Sequence, residues 1–415
     1  MNVIKSLILK FKNKIVDKNY SNLVEKLRHE FKKRPLKIIF LNSEISKWSY
    51  QSLYEELSKN SNFELEIILT VKHTLLKNKY KFLDYKKSLE TSYDYFKNKN
   101  MNVSYGFDFD KKKYLSLKQF NPDIIFYEQS GHVDKSQDIY KTSKYALSFY
   151  CSYGSSTTNG KNEYDLGFLN KVYRYYLDNQ STKDFLLNYG FKKEQLVVSG
   201  ALKLDAYRNE INLENKIWKT DKKRIIWAPH FSFYKGSVLN FGTFDRNYKF
   251  FLDYIKSHPE YEFIIKPHPD LKRQIIRTHF MTQEDMTRYF DELSKLENVQ
   301  IFEGTSYFDM FRCSDLLITD CNSFLSEYLP TEKPVIHLIN SNSVGFNEYG
   351  QKIISGYYNA YNVEEIKDLI DKLLIKNEDN LLNTRRDIIQ NVLIHQKDSV
   401  ASFIVNNLIS ILGEG

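Results

Sequence analysis

Short, predominantly apolar runs separated by amphipathic stretches recur along most of this 415-residue chain, and that alternation points to an α/β fold built on parallel sheets. The first set of runs is 36–41 (LKIIFL), 63–70, 123–127, 146–151 and 195–200. A second set follows at 224–230, 262–269, 299–304, 315–320 and 334–339. Two sets of five runs, each interleaved with helical stretches, predict two doubly wound domains, as the chain length also suggests. The polar stretch 208–223 is the expected linker. Helices are expected around 48–57, on the face Phe244, Tyr248, Phe251 and Ile255, and on the face Val363, Ile366, Leu369 or Ile370, and Leu373. Asn362 stands where it can cap the last of these, with Glu365 at capping-box spacing. A final helix carrying Val400, Ile404, Leu408 and Ile411 is long enough to pack across a domain boundary. The expected division is a basic region at 1–35, domains at 36–207 and 208–395, and a C-terminal helix at 396–415.

Charge is distributed unevenly. Residues 1–37 hold 11 Lys/Arg against 3 Asp/Glu, a surplus of 8 that equals the net charge of the whole chain, 60 against 52. The remainder is neutral, which argues against nucleic acid as a partner. Within the basic arm Ile4, Ile8, Phe11 and Ile15 recur at helical spacing beside Lys5, Lys10, Lys12, Lys14 and Lys18. An apolar stripe next to a cationic face suits a helix lying on an anionic membrane surface through residues 1–20, and a solvated helix packed on the protein is the plainer alternative. No apolar run is long enough to span a bilayer, and no signal-peptide pattern is present, so a peripheral position on the cytoplasmic face of the membrane is expected. Cys151, Cys313 and Cys321 have neither the number nor the spacing of a disulfide framework or a zinc site and read as buried thiols.

Three polar loops directly follow strands of the second set. They are Ala228-Pro229-His230, Lys266-Pro267-His268-Pro269 and Asp320-Cys321-Asn322-Ser323. Ligands of doubly wound sheets sit outside the carboxyl ends of the strands, so the three loops should converge on one crevice. Two prolines fix the backbone around His268 and aim an imidazole and the Lys266 ammonium in a way that suits a diphosphate. Asn322 and Ser323 open the next helix, where amides and side chains can donate to an anion. Glu327 lies one turn further on and could reach a ribose hydroxyl. Structural roles compete with each of these. Asp320 and Ser323 could simply cap the helix, and His230 alone could be a loop histidine bonded to backbone. His337, inside VIHLI, reads as a core histidine. Asp108-Phe109-Asp110 resembles a metal-binding DxD, but no other metal ligands cluster with it in sequence, so no metal and no cofactor are expected.

The run IIWAPH, then FIIKPHPDLK, then SDLLITDCNSFLSEYLPTEKPVIHL resembles the C-terminal half of the CDP-glycerol glycerophosphotransferase family of teichoic acid and capsule synthesis. The likeness extends more weakly through EISKWSYQSLYEEL, NPDIIFYEQ and QLVVSGALKLDAY. The resemblance implies a GT-B fold: two Rossmann-like domains with a cleft between them, the donor nucleotide held mainly by the second, no metal, and peripheral attachment to the membrane. It also implies donor-site positions at His268, Ser323 and Glu327, and it places His230 in the loop where other members carry a Pro-Thr pair.

One departure stands out. Polymerases of that family carry a Trp-His-Gly-Thr segment whose histidine is the presumed general base, and the corresponding stretch here, FYCSYGSST, has none. Deprotonating an acceptor hydroxyl is usual work for an imidazole. His132, in QSGH beyond the 123–127 run, and His230 are the two remaining candidates. The expected activity is transfer of a polyol phosphate from a CDP-activated donor to a polysaccharide or lipid-linked acceptor, with Lys266, His268, Asp320, Asn322, Ser323 and Glu327 at the donor. A GT-B glycosyltransferase using a sugar nucleotide, a nucleotide-sugar epimerase and a non-catalytic membrane-surface protein are the alternatives.

Overall fold

The structure, a computed structural model, describes residues 3–413 apart from 72–78, 129–132, 159–165, 212–216, 235, 238, 305 and 394–395; side chains of 3–11, 79–84 and 166 are also outside it. The chain forms two compact units, one of residues 1–154, 163–205 and 394–415, the other of 155–162 and 206–393.

In the first unit β1 (Leu36–Asn42), β2 (Phe63–Leu69) and β3 (Val103–Tyr105) precede a two-residue hairpin, β4 (Phe107–Asp108) with β5 (Lys113–Tyr114). β6 (Ile124–Tyr127), β7 (Leu147–Cys151), β8 (Arg174–Leu177) and β9 (Leu196–Val198) follow. Apart from the hairpin these strands make one sheet in the order β3-β2-β1-β6-β7-β8-β9, every pair parallel. Every residue of β6 and β7 is buried, as expected of strands covered on both faces. Across the sheet Phe40, Phe126 and Phe149 stack at 5.2 Å between successive rings, and Tyr176 extends the row at 6.2 Å.

The N-terminal helix runs unbroken from Val3 to Phe31. Among its described side chains Val16, Tyr20, Leu23 and Leu27 are buried, whereas Ile15 is 44% exposed. The packing stripe is therefore not the one the sequence singled out. At about 100° per residue, Ile15 lies roughly 110° around the helix from the mean direction of the buried four. The Tyr20 hydroxyl meets Ser148 Oγ and donates to Lys171 O at 3.0 Å. Packed beside the N-terminal helix, the helix Val400–Gly413 buries Val400, Ile404, Leu408 and Ile411. Its first amides, Val400 and Ala401, donate to the buried Asp205 carboxylate at 2.9 and 2.8 Å, and Arg28 Nε donates to its Ile411 carbonyl at 2.9 Å. An anion at the N-terminus and a guanidinium at the C-terminus both complement the helix dipole.

The second unit repeats the plan with β10 (Lys223–Ala228), β11 (Tyr261–Ile265), β12 (Val299–Ile301), β13 (Leu316–Thr319), β14 (Val335–Leu338) and β15 (Tyr358–Ala360). The order is β12-β11-β10-β13-β14-β15, again all parallel. Trp227 of β10 stacks on Phe251 of the helix Phe244–Ser257 at 4.0 Å. Asn362 caps Val363–Ile370 as its spacing implied, taking the Glu365 N–H at 3.0 Å. Glu365 returns a bond to the Tyr361 N–H at 2.7 Å, one residue before the capping position. The strands β3, β8 and β15 were not legible in the sequence. β3 and β15 are three-residue edge strands, and β8 (RYYL) lacks the aliphatic run of its neighbours.

Candidate functional site

Because all six strands of the second unit run parallel, their carboxyl ends share one edge, and β10 lies between β11 and β13. The loops after these three strands are thus neighbours. The strand order reverses between β10 and β13, which makes their ends the switch point where a doubly wound sheet leaves room for a ligand.

Asp320, directly after β13, is 1% exposed. Oδ1 accepts the His230 N–H at 2.6 Å, and Oδ2 accepts the Thr243 N–H at 2.5 Å and the Thr243 hydroxyl at 2.7 Å. Burial pushes its carboxyl up to about 6 although all three donors oppose the shift. Expected at the donor, this carboxylate instead ties the β10 loop and the start of the next helix to the end of β13.

His230 is 3% exposed, and its Nδ1 lies 2.7 Å from Ser232 Oγ. That oxygen accepts the Phe241 N–H at 3.0 Å and the Gly242 N–H at 3.4 Å, so its single proton points to Nδ1. A neutral His230 then carries its proton on Nε2. Burial, with the neighbouring His268 adding to it, holds this imidazole well below its usual pKa. With Nδ1 accepting from Ser232, Nε2 is the ring nitrogen that can donate a hydrogen bond. Gly242 is required here because a Cβ would stand 2.7 Å from Phe233 N and 2.8 Å from His230 O.

His268 is half-buried with its ring edge-on to His230, 5.0 Å between centroids. Its N–H donates to Pro229 O at 3.0 Å, and its Nδ1 accepts the Asp270 N–H at 3.0 Å, which leaves Nε2 as the protonated nitrogen. Lys266 is 6% exposed, its ammonium 5.5 Å from the Phe302 ring and 5.7 Å from the Tyr307 ring. Glu327, 2% exposed, accepts the Tyr307 hydroxyl at 2.5 Å. Asn322 and Ser323 are half-buried at the start of Asn322–Tyr328, with Ser323 Oγ 3.4 Å from Cys321 Sγ.

The structure therefore gathers His230, Lys266, His268, Asp320, Asn322, Ser323 and Glu327 on three adjacent strand ends, while His132 lies outside the described residues. It adds Ser232, Thr243 and Tyr307. Thr243 was findable, since it immediately precedes an expected helix. Ser232 and Tyr307 sit in irregular segments without a spacing signal. His337 is 2% exposed, paired with Asn359 Oδ1 at 3.3 Å, and burial lowers it to about 4. Asp108 closes the β4–β5 turn, taking the Lys111 N–H at 2.9 Å. Among the described residues no three His, Cys, Asp or Glu side chains gather as metal ligands do. All three cysteines are free, Cys151 and Cys321 buried and Cys313 half-buried.

Comparison with known proteins agrees with this architecture. The family described as CDP-Glycerol:Poly(glycerophosphate) glycerophosphotransferase matches residues 10–410. No curated protein matches the sequence significantly. Among solved structures, the wall teichoic acid polymerase TagF soaked with CDPG superposes with a TM-score of 0.58 at 14% identity, over 99% of this chain and 96% of that one. The UDP-GlcNAc 2-epimerase of Neisseria meningitidis bound to UDP-GlcNAc gives 0.58 at 14% identity, over 90% of this chain and all of that one. The shared fold is of GT-B type, two Rossmann-like units in one chain.

Proposed function

Since the chain belongs to the CDP-glycerol:poly(glycerophosphate) glycerophosphotransferase family, we propose that it transfers a polyol phosphate, glycerol phosphate from CDP-glycerol in the leading case, onto a polysaccharide or lipid-linked acceptor of a teichoic-acid or capsule type. The observation that carries this reading is the β11 loop. Lys266 supplies a cation near two aromatic rings, and His268 supplies an Nε2–H oriented by the Asp270 amide; both follow β11, one strand from the β10–β13 switch point at which Asn322 and Ser323 open the next helix.

Phosphoryl transfer needs little covalent help from the protein and much fixed positive charge where the leaving diphosphate oxygen develops its own. Lys266, His268, Asn322 and Ser323 are the groups that would hold the donor diphosphate. His230 supports the His268 ring and adds a neutral donor. Asp320 and Glu327 act one step back, the first by fixing the His230 loop and the second by fixing Tyr307 beneath the Lys266 ammonium.

The membrane reading rests on the N-terminal helix. Its second half is docked on the first unit by Val16, Tyr20, Leu23 and Leu27, while Ile15, Lys12, Lys14 and Lys18 remain exposed. Positions 4, 8 and 11 share the Ile15 side of the helix by its period. No described helix is long and apolar enough to cross a membrane. We assign this side to an anionic membrane surface on the inner face.

Thermal stabilisation of the full chain by CDP, CMP, UDP and GDP, with and without EDTA, tests the reading. A ligand at 100 times its dissociation constant adds about 2.7 kcal/mol of apparent stability. The expected result is stabilisation by CDP or CMP that survives EDTA. A UDP or GDP preference moves the assignment to a sugar transferase, and no response to any nucleotide overturns the donor site.

A further inference from the structure

A pocket of about 400 Å³ lies within the first unit, between the N-terminal helix and the segments flanking β8, a size within the range of small-molecule sites. The helix lines it with Tyr20, Ser21, Val24, Glu25 and Arg28. The facing wall is Asn170, Tyr173 and Arg174 at the start of β8, with Lys192 and Glu194 ahead of β9. Contacts tie the two walls together: Tyr20 packs edge-on to Tyr173 at 5.5 Å, and Asp17 of the helix pairs with Lys192 at 2.5 Å. Gln195 Nε2 donates to the Leu169 and Val172 carbonyls at 2.9 and 2.8 Å, which fixes the turn before β8.

The polar groups that the fold leaves over define what fits there. Glu25 and Glu194 are exposed on opposite walls and have no partner among the described residues. The Arg174 guanidinium stands 4.4 Å from the Tyr173 ring centre, and its Nη1 donates to the Tyr173 carbonyl at 3.1 Å. Asn170 Oδ1 is buried with no hydrogen-bond partner among the described residues, although buried polar atoms are nearly always paired. Three cations, Arg28, Arg174 and Lys192, balance three carboxylates, Asp17, Glu25 and Glu194. A phosphate would meet two unpaired carboxylates in this lining. A sugar meets acceptors for its hydroxyl protons at Glu25 and Glu194, a donor at Arg174, and apolar surface for its C–H groups at Val24 and Tyr173. The helix residues of the pocket centre roughly 150° around the helix from Ile15, so the pocket does not open on the side assigned to the membrane, and a lipid headgroup is not its occupant.

We propose that this pocket binds neutral sugar residues of the acceptor, a stretch of disaccharide size, so that the acceptor is a polysaccharide with uncharged sugars and not a bare poly(polyol phosphate). The inference rests on the transferase reading above and narrows its acceptor class. The pocket takes no part in the chemical step. By holding one stretch of a polymer, a weak sugar site raises the effective concentration of the rest of that chain at the enzyme.

The test titrates the full chain with maltose, cellobiose, lactose and diacetylchitobiose, and separately with glycerol phosphate, by saturation-transfer NMR. At least one disaccharide should bind. Ser21 is exposed and bonds only within its own helix, to the Asp17 carbonyl at 3.2 Å, so Ser21→Trp fills the pocket from a tolerant position. It should lower disaccharide affinity about tenfold or more, with the melting temperature and the stabilisation by CDP unchanged. Should Ser21→Trp not fold, the double variant Glu25→Ala, Glu194→Ala, both at exposed positions, should show the same loss, and an undiminished affinity in it overturns the site. If CDP stabilises the wild type but no disaccharide binds, or Ser21→Trp binds them equally well, the inference fails and the transferase reading stands. If Ser21→Trp abolishes binding of glycerol phosphate and not of a disaccharide, the pocket is an anion site and the inference also fails. If disaccharides bind in the pocket but no nucleotide stabilises the chain, the transferase reading fails, and with it the assignment of the sugar to an acceptor.

Discussion

Asp320 and His230, 90 residues apart, are joined at 2.6 Å where the His230 amide meets the Asp320 carboxylate, and Thr243 closes on the other oxygen of the same group. Removing that carboxylate strands two buried backbone amides and a hydroxyl. At about 1–3 kcal/mol for each unsatisfied donor, Asp320→Ala should cost at least about 3 kcal/mol in urea unfolding. Because the lost bonds orient the His230 loop and not the nucleotide, any folded fraction should also bind CDP more weakly, which calorimetry can read.

The donor loop makes a separate prediction. His268→Ala removes an oriented Nε2–H from a half-buried side chain, so CDP affinity should drop by about tenfold or more, in line with about 1.5–3 kcal/mol for a hydrogen bond to a charged group. Stability should change little. His268→Gln, which keeps a donor, should recover part of the affinity.

The two sides of the N-terminal helix should separate by mutation. Leu27, 1% exposed, packs on the first unit, and Leu27→Ala should cost about 2–5 kcal/mol of stability. Ile15, 44% exposed, does not, and Ile15→Asp should leave the melting temperature unchanged while lowering sedimentation with phosphatidylserine vesicles. Unchanged sedimentation of Ile15→Asp together with a variant lacking residues 2–14 would remove the membrane assignment.

His337 supplies a pH dependence with a defined sign. Burial depresses its folded-state pKa to about 4 from 6.5. A depressed base stabilises the fold fully above 6.5 and loses that contribution as pH falls through about 4. At about 1.36 kcal/mol per unit, the loss across this window is about 3 kcal/mol. Denaturation of the wild type and His337→Gln at pH 7.5 and 4.5 should show a difference that shrinks at the lower pH; a constant difference would exclude the effect.

Glu365, Asn362 and the β-strand runs illustrate what local sequence carries. Capping and strand burial depend on residues within one or two turns, so the alternation of LKIIFL, IIWA and FIIK with amphipathic stretches was enough to place ten of the thirteen sheet strands. It also placed seven of the eight expected site residues on adjoining strand ends; His132 lies outside the described residues. Strand order supplied the rest. Only the pairing of β10 with both β11 and β13 brings His268, His230 and Asn322 to one edge, and only the reversal between β1 and β6 sets Glu128 against Ser43. Roles were decided by tertiary contacts as well. Asp320, expected at the donor, has both carboxylate oxygens taken by protein donors, and Ser232 fixes the tautomer of His230. Which stripe of the N-terminal helix faces the protein followed the same rule. Both stripes are apolar at helical spacing, and the choice of Val16 over Ile15 depends on the surface of a sheet whose strands lie far away along the chain.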